Sequence, residues 1–367
     1  MRIDSLSIYR FETKLASPWI TAYGADYTVE QVLFCLRSGG VEGWGEASPL
    51  NLPTYSPEYS RGVFEINRDI FAKQLLGEDI ESGDDLQKRF SSIKGHYFAK
   101  SGFDLAWWDL ASKLAGQPMW KFIGGTNRHP EAGSDFGYQK SIDILLQKID
   151  DVKAIAPRIK LKYGPGWGIE VIREVRKNFP DLVFHIDCNS AYTLADLPIF
   201  KELDQYNLAM FEQPLTHDDL IDHATLQHQI KTPICLDESL TTPDKARKAI
   251  QIGSCKYFTL KTGRLGGITN ILKVCALARE AGIPCWIGGM LETGIGRRAR
   301  LAVASLPEIG YPSDICPPRP SKLLKTPIAF DPGTMRYTLD DTTPGSGADV
   351  DIASVRDQIL EEFHLDK

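Results

Sequence analysis

Arg158-Ile-Lys-Leu-Lys162, Leu182-Val-Phe-His-Ile-Asp187, Leu208-Ala-Met-Phe-Glu212, Pro233-Ile-Cys-Leu-Asp237 and Lys256-Tyr-Phe-Thr-Leu-Lys261 share one pattern, a short run rich in apolar residues closed by a charge. The closing residues Lys162, Asp187, Glu212, Asp237 and Lys261 stand 25, 25, 25 and 24 residues apart. One strand, one helix and two short loops occupy about that length, so the spacing places all five at the same level of consecutive parallel strands. In a closed barrel that level is the C-terminal rim, where such folds keep their active sites. One charge at a strand end means little when a quarter of the chain is charged. Five in succession, three acids flanked by a lysine on either side, point to chemistry.

The segments between these runs read as helices. Ile172, Val175 and Phe179 keep helical spacing, as do Leu197, Phe200 and Leu203, and Thr242-Pro243 is an N-cap followed by proline at the first helical position. A further run, Pro284–Ile287, extends the alternation, which stops after about Pro317 in a turn-rich tail. No Gly-x-Gly-x-x-Gly joins a strand to a helix early in the repeat, which disfavours a dinucleotide-binding sheet. The first hundred-odd residues are different, an α+β region. Ile3–Tyr9 and Val29–Leu36 read as strands, Tyr97–Leu114 as a helix with Phe103, Ala106, Trp107 and Leu110 on its apolar positions, and Ser17–Gly24 and Ser48–Pro57 as irregular loops.

Composition narrows the function classes. At 367 residues the chain is long enough for two domains, and a net charge of −6 with dispersed basic residues excludes a nucleic-acid partner. No apolar run approaches the length of a membrane span, and Met1–Tyr9 lacks an apolar signal core, which together point to a cytoplasmic protein. The seven cysteines form no Cys-x-x-Cys pair and sit largely in apolar runs, as reduced buried thiols do. The sequence leaves self-association into a homo-oligomer open.

Three carboxylates from adjacent strands, with no Cys or His beside them, make a hard oxygen site suited to Mg²⁺, with Mn²⁺ able to substitute. Such an ion would hold a substrate carboxylate and stabilise the charge that builds on it when the neighbouring carbon loses a proton. Lys162 and Lys261 would then flank the metal and face the two sides of that carbon. Lys160 and Arg264 are nearby cations of the kind that lower a lysine pKa, and Asn189 and Glu238 stand where second-layer or substrate contacts belong.

At these residues the chain resembles the enolase superfamily in its muconate-lactonizing subgroup. Lys160-Leu-Lys162, Asp187-Cys-Asn189, Phe211-Glu-Gln-Pro214, Leu236-Asp-Glu-Ser239 and Leu260-Lys-Thr-Gly-Arg-Leu-Gly-Gly267 look like that subgroup's active-site strands, and the likeness extends to Trp107-Trp-Asp-Leu110 and Ile123-Gly-Gly-Thr126. Gly288-Gly-Met-Leu-Glu-Thr-Gly-Ile-Gly296 and Pro49–Tyr55 are similar to segments of the o-succinylbenzoate synthase and N-succinylamino acid racemase family. The resemblance implies an α/β fold, a modified (β/α) TIM-type barrel over 126–320 with an N-terminal α+β capping domain over 1–125, and a C-terminal segment, 321–367, packed back on the cap. It implies Asp187, Glu212 and Asp237 as Mg²⁺ ligands and Lys162 and Lys261 as the acid/base pair. It also implies substrate contacts from Trp19, Tyr23, Leu52 and Tyr55 of the two capping loops and from Gly289, Met290 and Leu291.

In the synthase reaction implied by the family, the Lys162 equivalent removes the proton next to a carboxylate and then protonates the departing hydroxyl, while the Lys261 equivalent stays cationic. In the racemase reaction both lysines exchange protons, and a lowered Lys261 pKa near Arg264 would permit it. An epimerase acting on a free amine would carry Asp-x-Asp near the eighth strand, where this chain has Gly-Gly-Met-Leu-Glu-Thr, and a non-catalytic barrel would be expected to have lost a ligand or a lysine. The chain departs from the family pattern at Arg297-Arg-Ala-Arg300, which is unusually basic, and at Thr262.

Overall fold

The structure is a computed structural model that describes residues 1–21, 24–318 and 321–366, with the backbone alone for 16–21 and 24–26. The chain opens with a long antiparallel meander, β1 (Ser5–Thr21), β2 (Gly24–Ser38) and β3 (Val41–Ala47). β1 and β2 run on into the segment read from sequence as a loop, with Trp19 opposite Asp26 and Thr21 opposite Gly24. On the far edge of β1 lies a C-terminal strand, Ile359–Asp366, whose Leu365 faces Leu6 and whose Phe363 faces Ile8.

Both faces of this sheet are covered. Leu6, Ile8, Phe34 and Leu36 pack with helices α1 (Ser60–Ile66) and α3 (Tyr97–Leu114), α2 (Gly83–Arg89) lying between these two in sequence. Tyr9, Phe11, Leu33 and Trp44 pack on the other side against Ile295, Leu323 and Val355. From Phe98 to Ser112 every residue of α3 except Trp108 is buried, because the helix is wedged between the sheet and the barrel. Each large apolar side chain so enclosed, such as Phe103 or Leu110, contributes about 1.5–3 kcal/mol. The close seat depends on Gly43 and Gly45: a Cβ on either would lie within 2.3 Å of a carbonyl oxygen of α3.

The barrel follows a short helix, α4 (Met119–Phe122). Strand and helix then alternate: β4 (Ser134–Phe136), α5 (Ile142–Val152), β5 (Ile159–Lys162), α6 (Ile169–Asn178), β6 (Phe184–Asp187), α7 (Leu197–Leu203), β7 (Phe211–Glu212), α8 (Ile221–Gln227), β8 (Ile234–Leu236), α9 (Pro243–Ile252), β9 (Tyr257–Leu260), α10 (Ile268–Ala281), β10 (Cys285–Ile287) and α11 (Gly294–Ala304). The seven strands are parallel in sequence order. Segment 309–314 closes the ring, Ile309 bridging Cys285 and Ser313 bridging Ala132. Thr242 caps α9 as its sequence indicates, accepting the Lys245 N–H at 3.1 Å. No described helix is long and apolar enough to cross a membrane, and Cys35, Cys188, Cys235, Cys255, Cys275 and Cys285 are buried free thiols.

Register refines the reading of the five charges. Lys162, Asp187 and Glu212 lie directly opposite one another. Glu212 faces Cys235, and Cys235 in turn faces Tyr257, so Asp237 and then Lys261 step further along the rim by two residues per strand. Tilted barrel strands require such a stagger, and even-numbered steps keep every one of these side chains on the same face.

α3 has an unusual N-terminal cap. His96, its N-cap residue, is left-handed (φ 53°) and makes no side-chain cap. Glu58 caps instead, accepting the Phe98 and Ala99 N–H groups at 2.9 Å each. Burial pushes the Glu58 carboxyl up to about 7 from the usual 4.5, against the pull of those N–H groups. The folded state therefore keeps a proton that the unfolded chain releases, and this group's contribution to stability falls as pH rises from about 4.5 to about 7. Glu58→Ala should cost about 1–2 kcal/mol, and Glu58→Gln should flatten this part of the stability profile. Thermal denaturation across that pH range reads both.

Candidate active site

The strand alternation of β5 sends Ile159 and Leu161 outward into the helical layer and turns Lys160 and Lys162 inward. Lys162 Nζ lies 2.7 Å from Asp187 Oδ2 and donates to Asn189 Oδ1 at 2.7 Å. Lys160 Nζ bridges Asp187 Oδ2 at 2.8 Å and Glu212 Oε2 at 2.9 Å, and reaches Asp314 Oδ2 at 3.3 Å. Burial alone would raise Asp187, yet Lys160 and Lys162 hold it well below the usual carboxylate range. Burial and the neighbouring Asp187 would raise Glu212, but Lys160 and His185 together leave it lowered. Asn189, with φ 44°, also donates to Glu238 Oε1 at 3.3 Å.

A second node lies across the rim. Asp237 Oδ2 accepts Lys261 Nζ at 2.8 Å, and its Oδ1 accepts Arg264 and, at 3.2 Å, the Tyr55 hydroxyl. Tyr55 comes from the loop before α1 and also accepts Lys261 Nζ at 3.0 Å and Arg264 Nη1 at 2.9 Å. Gln213, just beyond β7, accepts the Asp237 N–H at 2.9 Å and so fixes the backbone of this node.

The two lysines differ. Burial holds Lys162 below the usual lysine range, with Lys160 adding to it against Asp187. Burial also opposes the charge on Lys261, but Tyr55, Glu238 and Glu212 outweigh it and leave that lysine raised. Arg264 therefore does not bring Lys261 down as its position in the sequence suggests; the guanidinium is engaged by Asp237, Leu240 O and Thr259 O. Above these groups opens a cavity of about 1250 Å³ lined by Tyr55, Lys160, Lys162, Asn189, Lys261 and Leu291 among others. Asp187, Glu212 and Asp237 do not line it, being at most 1% exposed.

Comparison with known proteins decides the family. Residues 146–355 match the enolase C-terminal domain-like family, and residues 5–124 match the mandelate racemase / muconate lactonizing enzyme N-terminal domain. The chain belongs to the enolase superfamily. Within it, the chain is 37% identical to an o-succinylbenzoate synthase of Geobacillus kaustophilus over 99% of this chain and 98% of that protein. It is 40% identical to an N-succinylamino acid racemase of Thermus thermophilus over 86% of each. The solved structure of an enolase superfamily member from Listeria innocua superposes with a TM-score of 0.95 at 32% identity, covering 100% of this chain and 99% of the other. The barrel with its strand-rich N-terminal domain is thus the fold of that superfamily, and the chain falls in its o-succinylbenzoate synthase and N-succinylamino acid racemase family.

Superfamily members use Mg²⁺, and the donor set here suits it: three buried carboxylates, no sulfur, and a Glu212 Oε2 that makes no directed hydrogen bond although Lys160 Nζ is 2.9 Å away. The ligand atoms of the three carboxylates do not all lie within 4.8 Å of one another: Lys160 bridges Asp187 and Glu212, while Asp237 faces Lys261 and Arg264. Among the described residues the one trio with candidate ligand atoms within 4.8 Å of one another is Asp135, Asp314 and Cys316. Its acids face Arg158 and Lys160.

Of the residues expected at the loops, Tyr55, Gly289, Met290 and Leu291 line the cavity. Leu52 does not: it is 66% exposed on the turn around Pro53-Thr54, and Leu50, with φ 83°, lines the cavity in its place. Tyr23 and the side chain of Trp19 lie outside the described residues. Gln31, Glu46, Asp135 and Asp314 went unread in the sequence. In the basic Arg297–Arg300 stretch, Arg300 is buried against Glu292 while Arg297 and Arg298 are half-buried.

Lys160→Met would strand Glu212 and half of Asp187's counter-charge in a buried site, and should cost about 3–5 kcal/mol. Added Mg²⁺ should recover part of that loss, because a dication among the same carboxylates restores the missing charge. Denaturation with and without Mg²⁺ measures both; a loss that Mg²⁺ leaves untouched would count against a dication site on these carboxylates.

Proposed function

We propose that this chain is an o-succinylbenzoate synthase, dehydrating 2-succinyl-6-hydroxy-2,4-cyclohexadiene-1-carboxylate in menaquinone biosynthesis. The observation that carries the reading is the rim itself, three adjacent buried carboxylates with one lysine on each flank, both lysines lining the cavity and the acids beneath them. The synthase names of the Geobacillus relatives support the choice of substrate.

In this reading Asp187, Glu212 and Asp237 hold Mg²⁺, for which Mn²⁺ can substitute, and the ion would bind the substrate carboxylate and balance the charge that grows on it. Lys162 takes the proton from the adjacent carbon and returns it to the departing hydroxyl, so that one residue serves as base and then acid. Asn189 and Asp187 orient Lys162 through the two contacts at 2.7 Å. Lys261 remains an ammonium beside the developing charge, steadied by Tyr55 and Asp237. Residues 1–125 act as the cap, 126–320 as the catalytic barrel and 321–367 as a segment returning to the cap, and the enzyme works in the cytoplasm.

A second reading, N-succinylamino acid racemase, is favoured by a second lysine on the opposite flank and by the Thermus relative. It needs Lys261 to exchange its proton, and one site can support both reactions.

Wild type should dehydrate the cyclohexadiene substrate with kcat/KM of about 10⁴ M⁻¹s⁻¹ or more in the presence of Mg²⁺. Lys162→Ala should abolish that turnover, and removal of divalent metal should do the same. Absence of dehydration alongside solvent deuterium exchange into N-succinylamino acids would replace the synthase by the racemase. Absence of both would remove this family's activities.

A further inference from the structure

We infer that Gln31 is a positioning residue: from the N-terminal sheet it fixes the cavity wall formed by Gly289–Glu292, and thereby helps select the substrate. The positioning half stands on geometry alone, while the selection half rests on the function proposed above.

The wall is the link between β10 and α11, and it leaves the barrel almost at once. Gly288 is still part of the sheet, its N–H donating to Leu260 O at 2.9 Å. Neither Gly288 nor Gly289 has room for a side chain, since a Cβ would meet Lys261 Cε at 2.7 Å in the first case and Asp314 O at 2.9 Å in the second. Met290 then inserts its side chain into the hydrophobic cluster of the N-terminal domain, beside Tyr55, Phe98 and their neighbours. Leu291 follows with φ 56°, a left-handed conformation that a leucine rarely adopts and that the surroundings must impose.

Polar contacts hold it from both sides: within the barrel Glu292 accepts the Met290 N–H at 3.0 Å and pairs with Arg300, and a further contact comes from the other domain. The Leu291 carbonyl accepts Gln31 Nε2 at 3.0 Å. Gln31 is 1% exposed, and its Oε1 accepts Thr13 Oγ1 at 3.1 Å; because a carbonyl can only accept, the amide nitrogen is the end that faces Leu291. Thr13, Gln31 and Leu291 all line the cavity. Two residues on, Glu46 of β3 accepts the Thr293 and Gly296 N–H groups at 2.8 Å each and so anchors the start of α11 to the same sheet. The wall is thus clamped at both ends, by Gly288 to the barrel and by Glu46 to the cap, and among the described residues Gln31 makes the one side-chain hydrogen bond to its left-handed centre. The side-chain hydrogen bonds of Gln31 go to Thr13 and Leu291 and not to either lysine or any of the three carboxylates, so its effect passes through the wall.

Gln31→Met keeps length and bulk and removes the donor. Backbone amide exchange at 289–293 should quicken by about tenfold or more while exchange in β5–β9 is unchanged. In the same variant the ratio of kcat/KM between an N-succinylamino acid with a small side chain and one with a bulky side chain should move about fivefold or more, with kcat for the better substrate within about threefold of wild type. Thr13→Val, which removes only the hydroxyl that orients Gln31, should shift both readouts in the same direction by less. It serves as the test if Gln31→Met does not fold. Unchanged exchange at 289–293, or exchange rising equally throughout the barrel, overturns the positioning role. Local loosening with an unchanged substrate ratio overturns selection. If wild type racemises neither N-succinylamino acid, the racemase reading fails and selection among such substrates fails with it, while the synthase reading stands and amide exchange still decides whether Gln31 holds the wall.

Discussion

Three carboxylates cannot be buried at one barrel rim without matched positive charge, and much of this molecule is arranged around meeting that requirement. Asp187, Glu212 and Asp237 are at most 1% exposed. An unpaired charge in such a place costs several kcal/mol even after relaxation. Lys160, Lys162, Lys261 and Arg264 supply the balance, each within hydrogen-bonding reach of at least one of the acids. The demand reaches deep into the barrel. Beneath the rim the inward positions carry Arg158 and His185 rather than aliphatic side chains, and the apolar residues of the same strands face the helices. The interior thus mixes charge with one small apolar cluster, Met210, Cys235 and Trp286.

The two domains complete each other through exchanged side chains. Tyr55 reaches from the N-terminal domain to Asp237 and Lys261, and Met290 reaches from the barrel into the N-terminal core. Glu46 caps α11 across the same boundary. Such exchanges fix the angle at which the sheet sits over the barrel more firmly than a flat apolar contact would, because hydrogen bonds are directional. The cost shows in the backbone. Asn189, Ser190, Gln213 and Leu291, none of them glycine, all take positive φ, and all lie just past strand ends on the rim. Strain of this kind persists only where surrounding contacts over-determine it.

The rim was legible because its residues recur with the period of the fold. Five charges at near-constant spacing identify both the barrel and its working end, and the helix Tyr97–Leu114 reads from its own apolar periodicity. What escaped has a common physical origin. β4 is three residues long with no apolar run, and the closing segment 309–314 pairs through isolated bridges, so neither carries a strand signature. Gln31 and Glu46 look in sequence like the solvent side of an amphipathic strand; they are buried because this sheet is covered on both faces by elements far away in the chain. Leu50 and Leu52 are equivalent in composition and differ only in which way a turn points them. Local pattern reports period and propensity, and it is blind to a partner 260 residues distant.

The same distinction bears on the two lysines. In sequence Lys162 and Lys261 are near mirror images about the acids, and symmetry suits a reaction that exchanges protons on both faces of a carbon. The folded site breaks that symmetry with a residue from outside the barrel. Lys162 sits between Asp187 and Asn189 with the cationic Lys160 nearby, and burial draws it down. Lys261 lies 4.3 Å from the centre of the Tyr55 ring and within reach of Asp237, surroundings that favour its ammonium form. The asymmetry comes in part from the cap: Tyr55 accepts Lys261 Nζ and Arg264 Nη1 and donates to Asp237, whereas Lys162 is held by Asp187 and Asn189, both of the barrel.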